Sequence, residues 1–290
     1  MPESNIGFSK NMLPIFATKD NFSILQVLRK PYPLSFKLMD LLVQKIRKGF
    51  TISAIFAITQ RGHIKMERYI KNENMLSPEE NIRIRTFRVA VVGCGGLGGY
   101  LIEMLTRLGI GHLTLIDGDV FQTSNLNRQL LSAPDNIGNP KVVEAALRAQ
   151  RINPNISLRK EYAFLTPENA TELLSGHDLV CDALDTISSR RILEQEAEKL
   201  GIPLVYAAIA GWYAQISSIF PGDKTLSRIY PDEINRGAET FLGNPAFTPA
   251  LAASIQVAEA VKILLGKEGV LRNKVLSVNL LTHQYQIIDI

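Results

Sequence analysis

Cysteine is almost absent from this 290-residue chain: there are two, Cys94 and Cys181, and no Cys-x-x-Cys pair. That rules out a disulfide framework and leaves no thiolate set for structural zinc, so no zinc is expected. A reducing cytoplasm is the natural compartment for such a chain. Long apolar runs are also scarce near the start. Residues 50–58 form the longest uncharged one there, about half of what a bilayer span requires, and no small-residue cleavage pattern follows it. A soluble protein with no membrane role is expected. With 46% hydrophobic and 21% charged residues, the composition is that of a globular protein rather than a disordered or fibrous one. The length suits one large α/β domain or two modest ones.

The net charge of +4 is unevenly spread. The first 65 residues hold ten Lys/Arg against Glu3, Asp20 and Asp40, a balance of +7, while the other 225 carry 22 basic and 25 acidic side chains. A pI near 9 ordinarily raises the prospect of nucleic-acid binding. Here the basic excess lies outside any recognisable motif, and the body is mildly acidic, so nucleic acid is not expected as a partner.

The organisation changes near Met66. Upstream, residues 34–48 suit an amphipathic helix through Leu34, Leu38, Leu41, Leu42 and Val43, with Lys45, Arg47 and Lys48 at its end. A short strand follows. Downstream, apolar strands alternate with helices, the pattern of a largely parallel sheet covered on both faces. Strands are expected at 87–92, 113–116, 156–163, 178–183 and 203–208, and helices starting near Leu97, Pro140, Pro167 and Ser188, two of them opening on proline. Beyond another strand at 213–220, residues 221–249 are rich in Gly, Pro, Asn and Asp without clear periodicity and read as a long crossover loop. Loops of that length are often functional. A helix at 249–265 and strands at 274–280 and 284–290 complete the chain.

The strongest local signal is Val89-Ala90-Val91-Val92-Gly93-Cys94-Gly95-Gly96-Leu97-Gly98, a strand running into a Gly-x-Gly-x-x-Gly turn and a helix. Such glycines allow a sharp turn and close approach to phosphates, with helix N–H groups aimed at the anion. Asp117, 21 residues after Gly96, ends the next strand, where a carboxylate suits the hydroxyls of a ribose. The expected fold is therefore α/β and Rossmann-like, with helices on both faces of a largely parallel sheet and antiparallel strands at the C-terminus. By fold alone, this nucleotide site would fit NAD as well as ATP.

The next stretch separates the two nucleotides. Ser124-Asn125-Leu126-Asn127-Arg128-Gln129 and Gly138-Asn139-Pro140-Lys141 place an arginine and a lysine after the ribose acid. A dehydrogenase has no need of them. Cleavage between the α and β phosphates builds charge that fixed cations stabilise. In order, the Gly loop, Asp117, these two segments and Asp182-Ala183-Leu184-Asp185 resemble the MoeB/ThiF/HesA adenylyltransferases, whose catalytic core is shared with the enzymes that activate ubiquitin and its relatives. The resemblance spans residues 66–290 and implies a ThiF-type adenylation domain with its crossover loop at 221–249.

Carried over residue by residue, the resemblance places Gly93, Gly95, Gly96 and Gly98 in the phosphate turn, Asp117 on the ribose, and Ser124, Asn125, Leu126, Asn127 and Arg128 along the ATP pocket. Arg128 and Lys141 contact the phosphates, Asn125 helps to position them, and Asp185 is the magnesium ligand, a carboxylate suited to a hard cation. Taken alone, Asp185 could instead cap the helix opening at Ile187-Ser188, although Ser188 could supply that cap. By resemblance the substrate is the C-terminal Gly-Gly carboxylate of a ubiquitin-like sulfur-carrier protein, activated as acyl-AMP with release of pyrophosphate. A separate sulfur donor acts afterwards.

This chain departs from the family pattern in three places. The family's Tyr-x-Arg-Gln element, whose arginine enters the partner subunit's site, reads Arg68-Tyr69-Ile70-Lys71-Asn72, so Lys71 keeps the charge without the planar fork. A homodimer with Lys71 acting in trans is implied. Thr186 stands where asparagine often follows the magnesium aspartate. The loop at 221–249 has no cysteine, so covalent transfer through this protein's own sulfur is not expected. Adenylation of a carboxylate on a tRNA base, an NAD-dependent oxidoreductase and a non-catalytic scaffold remain as alternatives. Residues 1–65 match nothing in the family. They are either an appended module or an extension from too early a start codon, expected to be loosely packed on the body or poorly ordered, and dispensable for adenylation.

Overall fold

The computed structural model describes residues 67–230 and 237–290. The helix expected at 34–48, the strand after it and the rest of the tract 1–65 lie outside the described residues. Contacts divide the chain between Arg68 and Tyr69, and the fold described is that of residues 69–290.

Short apolar runs without polar alternation make strands buried on both faces, the signature of the centre of a parallel sheet. β1 (Arg88–Val92), β2 (His112–Ile116), β4 (Leu179–Asp182) and β5 (Leu204–Ala210) are of this kind, and β3 (Ser157–Glu161) is the more exposed edge. These five strands are mutually parallel. β6 (Tyr213–Ile219), β7 (Lys274–Asn279) and β8 (Gln284–Asp289) then add antiparallel, giving eight strands in the order β3-β2-β1-β4-β5-β6-β7-β8.

The helices are α1 (Pro78–Arg83), α2 (Gly96–Leu108), α3 (Lys141–Ile152), α4 (Ala170–Leu174), α5 (Ile187–Leu200), α6 (Thr225–Ile229), α7 (Glu239–Leu242) and α8 (Phe247–Leu265). Alternation along β1 sends Val89 and Val91 to one face and Ala90 and Val92 to the other. The first pair joins a core with Leu101, Leu105, Ala145 and Ala260 of α2, α3 and α8. The second joins Leu173, Leu193 and Ala197 of α4 and α5. α8 is long and apolar enough by composition to cross a membrane, but half of that stretch is buried inside this domain. Its polar residues Gln256 and Glu259 are buried too, and Glu259 accepts from the Ser218 hydroxyl at 2.6 Å and the Leu271 N–H at 2.7 Å.

Two expectations need correction, and one helix goes beyond them. The crossover loop is not featureless: α6 is set by tertiary burial of Leu226 and by its N–H donating to Glu194 at 2.9 Å, a long-range contact without sequence periodicity. α7 also lies within it, and α8 begins at Phe247, with Pro249 inside its first turn. Pro140 caps α3 from outside, and Pro167 precedes α4 by three residues, so neither opens a helix. Finally, α1 was not anticipated, although Ser77-Pro78-Glu79-Glu80 carries its signal: the Ser77 side chain accepts from the Glu80 N–H while the Glu80 carboxylate accepts from Ser77 N–H.

The chain runs β1, β2, β3 toward one edge and returns to place β4 on the far side of β1. A crevice therefore opens beyond the carboxyl ends of β1 and β4, where the strand order reverses.

Candidate active site

The first wall of the crevice is the turn after β1. Gly93 has φ +100°, and a Cβ there would lie 2.4 Å from the Ala183 carbonyl oxygen. Gly98 would place a Cβ 1.9 Å from the Gly93 carbonyl oxygen, so it exists to let α2 sit against the turn. Gly96, the first residue of α2, is different: its nearest neighbour would be Pro249 at 3.8 Å, leaving the backbone open to the crevice. The unpaired N–H groups at the start of α2 are then available to an anion.

Asp117 sits at the end of β2 and accepts from the backbone N–H of Cys94 at 2.6 Å and of Asp119 at 2.8 Å. Burial pushes its carboxyl up, and those two N–H bonds hold it back. Asp119 receives the Lys141 ammonium at 2.5 Å. Burial raises Asp119, but the Lys141 hydrogen bond, the Val120 N–H and the Lys141 charge outweigh it, so its pKa is lowered. Lys141, at the first position of α3, is thus buried and aimed at the crevice by a carboxylate two residues beyond Asp117.

In the segment 124–129, Arg128 is held back along its own turn, its guanidinium donating to the Ser124 carbonyl and to Asn127 Oδ1, both at 2.9 Å. Asn127 ties this turn to the stretch before α8 by donating to the Asn244 carbonyl at 3.0 Å. Asn125 turns inward: it is buried, and its Oδ1 accepts from the Gln122 N–H at 2.9 Å.

The turn after β4 completes the crevice. Asp185 is exposed on it. The N-cap of α5 is Thr186, whose hydroxyl accepts from the Ser189 N–H at 3.3 Å, so neither Asp185 nor Ser188 has that task. Behind the turn lies the buried pair Asp182 and Arg190, 3.6 Å apart. Burial pushes the Asp182 carboxyl up to about 6, against the Arg190 charge. Burial also opposes the charge on Arg190, but Asp182 and the neighbouring tyrosines more than compensate and keep it protonated.

A cavity of about 460 Å³ joins these parts. Gly93, Gly95, Gly96, Asp117, Arg128, Lys141, Asp185 and Thr186 all line it. Gly98, Ser124, Asn125, Leu126 and Asn127 do not; they build the turns that present their neighbours. Among the lining residues that the sequence reading did not single out are Asp119, Gln129, Arg190 and Phe164. Asp119 and Gln129 adjoin recognised residues. Arg190 lies one helical turn beyond Thr186, so its position was legible while its inward orientation was not. Gly237, Thr240 and Asn244 bring the crossover segment to the same cavity.

Lys71 lies elsewhere. It is exposed in a short 3-10 turn anchored by buried Tyr69, whose hydroxyl accepts from Asn153 at 2.9 Å, and by Asn72, which donates to the Leu108 carbonyl at 3.1 Å. Leu108 ends the helix that Gly96 begins, about 18 Å away at 1.5 Å per residue.

A glycine turn, the strand-end carboxylate of Asp117, the cations Arg128 and Lys141 and the exposed Asp185 surround one crevice of an α/β fold. The ThiF family profile matches residues 68–290, and the chain belongs to that family, the MoeB/ThiF/HesA group, as a nucleotidyltransferase of the adenylyltransferase type. It is 32% identical over 217 residues to the SAMP-activating enzyme E1 of Haloferax volcanii, covering 73% of this chain and 80% of the relative. It is 33% identical over 207 residues to the sulfur carrier protein adenylyltransferase of Thermus thermophilus, covering 66% and 74%. Among solved structures, E. coli MccB with ATP shares the fold at a TM-score of 0.61 and 20% identity, over 72% of this chain and 65% of that one.

Proposed function

We propose that this protein uses ATP and magnesium to adenylate the C-terminal Gly-Gly carboxylate of a small ubiquitin-like sulfur-carrier protein in the cytoplasm. The observation that carries the reading is the convergence of Asp117, Arg128, Lys141 and Asp185 on one cavity beside the open Gly96 backbone. The names of the relatives supply the kind of carrier.

The α2 amide groups and Gly96 bind phosphate, and Asp117 accepts from the ribose hydroxyls. Arg128 and Lys141 stabilise charge that grows toward the β phosphate as a carboxylate oxygen attacks the α phosphorus. That attack forms the acyl-phosphate bond and breaks the α–β bridging bond, whose electrons leave with pyrophosphate. Among the described residues no group of three or more His, Cys, Asp or Glu could hold a metal. Asp185 with phosphate oxygens and water is the donor set magnesium favours. When bound, magnesium supplies charge neutralisation on the phosphates.

Neither cysteine can act as a nucleophile. Both are buried; burial pushes Cys181 up to about 12 and Cys94 well above its ordinary range. In this reading a separate donor supplies the sulfur. Lys71, exposed and apart from its own crevice, acts in this reading on the site of the other subunit of a homodimer.

The test is ATP–pyrophosphate exchange with candidate carriers, the same carriers lacking the terminal glycine, and tRNA. Exchange that depends on the intact carrier is expected. Exchange driven by tRNA, or none with any carrier, would overturn the proposal.

A further inference from the structure

Two buried polar side chains grip the Asp182–Asp185 turn from opposite faces of the sheet. From the α8 side, fully buried Gln256 donates its Nε2 to the Asp182 carbonyl at 2.8 Å and to the Val205 carbonyl at 3.1 Å. The β4–β5 ladder pairs only Val180 with Leu204 and Cys181 with Val205. Gln256 thus bridges the two strands where their own hydrogen bonding ends. From the α5 side, Arg190 points its fork at the Leu184 carbonyl, with Nη2 at 2.6 Å and Nε at 3.2 Å. Leu184 immediately precedes Asp185. The far Nη1 of Arg190 donates to the Tyr230 hydroxyl at 3.1 Å, which is 2.6 Å from the Tyr206 hydroxyl, and its guanidinium lies 5.4 Å from the Tyr206 ring centroid.

The Asp182 carboxylate completes the arrangement. Its Oδ1 accepts from the Leu184 N–H at 2.9 Å, and its Oδ2, buried without a hydrogen bond, has the Arg190 contact. Both peptide groups flanking Leu184 are therefore fixed, and the exposed Asp185 is carried on a turn with little freedom. A buried ion pair of this kind adds little stability over an apolar replacement. Fixed outer partners around a metal-binding carboxylate act mainly on affinity and geometry.

We propose that Arg190 and Gln256 are positioning residues that set the Asp185 carboxylate for the metal ion. The proposal rests on the magnesium role of Asp185 argued above. Arg190→Lys keeps a charge opposite Asp182 and loses the two-pronged hold on Leu184. Tyr230→Phe removes the outer anchor of Arg190 together with the hydroxyl that pairs with Tyr206, leaving the fork on Leu184 in place, and Gln256→Glu removes the amide donors.

In the full-length protein, manganese(II) binding in the presence of ATP, read by electron paramagnetic resonance, is compared with ATP binding in excess chelator and with the metal dependence of pyrophosphate exchange. Arg190→Lys should weaken manganese binding by about tenfold or more and raise the half-saturating metal concentration in step, leaving metal-free ATP binding unchanged. Tyr230→Phe should move both readouts the same way by less, and it decides the matter with Gln256→Glu if Arg190→Lys does not fold. Manganese affinities equal to wild type in folded variants would overturn the proposal. A parallel loss of metal-free ATP binding would overturn it too, making Arg190 a phosphate contact. A wild-type protein that binds no manganese with ATP would instead defeat the magnesium reading, and the positioning role with it.

Discussion

Replacing Gly96 by alanine should separate folding from nucleotide binding. In the folded protein the new methyl would meet only the Pro249 ring at 3.8 Å, ordinary van der Waals contact, at the first residue of α2. Alanine loses less backbone entropy than glycine there, so stability should rise by about 0.5–1 kcal/mol, or about 2–4 °C in Tm per kcal/mol for a domain of this size. In the proposed reading the same methyl would stand in the cavity between a phosphate and the helix N–H groups. ATP affinity should therefore fall by about tenfold or more, the equivalent of at least 1.4 kcal/mol. Gly98→Ala is the contrasting case: its methyl would lie 1.9 Å from the Gly93 carbonyl oxygen. That oxygen cannot retreat easily, because the Gly93 N–H is bonded to Ile116 at 2.8 Å and the residue packs under Ala183. Overpacking of this kind costs about 1–3 kcal/mol or more. Differential scanning fluorimetry and calorimetric ATP titration on both variants give the answer. Wild-type ATP affinity in Gly96→Ala would show that the turn does not cradle phosphate.

Four further outcomes are expected. Asp185→Ala should abolish pyrophosphate exchange with no loss of Tm, since the side chain is exposed and is not the α5 cap; wild-type exchange rates would remove the metal assignment. Mixing Lys71→Ala with Arg128→Ala subunits should restore part of the activity, because one mixed site keeps both cations, whereas a fully active monomer would refute action in trans. A chain shortened to begin at Met66 should fold and retain exchange, and an insoluble or inactive product would make the N-terminal tract structural. His177 has Nδ1 on the Leu174 carbonyl at 2.8 Å and Nε2 on the Thr114 hydroxyl at 2.7 Å, and burial lowers its pKa. Its folded pKa lies below the unfolded value near 6.5, so stability is fully present above that pH and is lost as pH falls through the window toward the folded pKa. Urea melts at several pH values should show this slope, and His177→Gln should flatten it.

The sequence alone settled what depends on near neighbours. Strands buried on both faces read as uninterrupted apolar runs, and the glycines after Val92 could be recognised because a strand-to-helix turn against a phosphate restricts residue type at fixed spacing. Asp117 followed from the same local logic, as the residue ending the next strand. The tertiary structure decided the rest, because the remaining questions concern groups distant in sequence. Arg128 and Lys141 were placed together on the phosphates, yet only the fold shows Lys141 steered by Asp119 and Arg128 folded back on Ser124. Asn125 has the same residue type and segment as a pocket residue but turns inward, since the Gln122 N–H needs an acceptor. The crossover segment had no periodicity to read, and its helix α6 owes its place to Leu226 entering the second core. Arg190 and Gln256 looked like ordinary helix residues. Their meaning comes from the return of β4 beside β1, which brings two helices from opposite faces onto one four-residue turn.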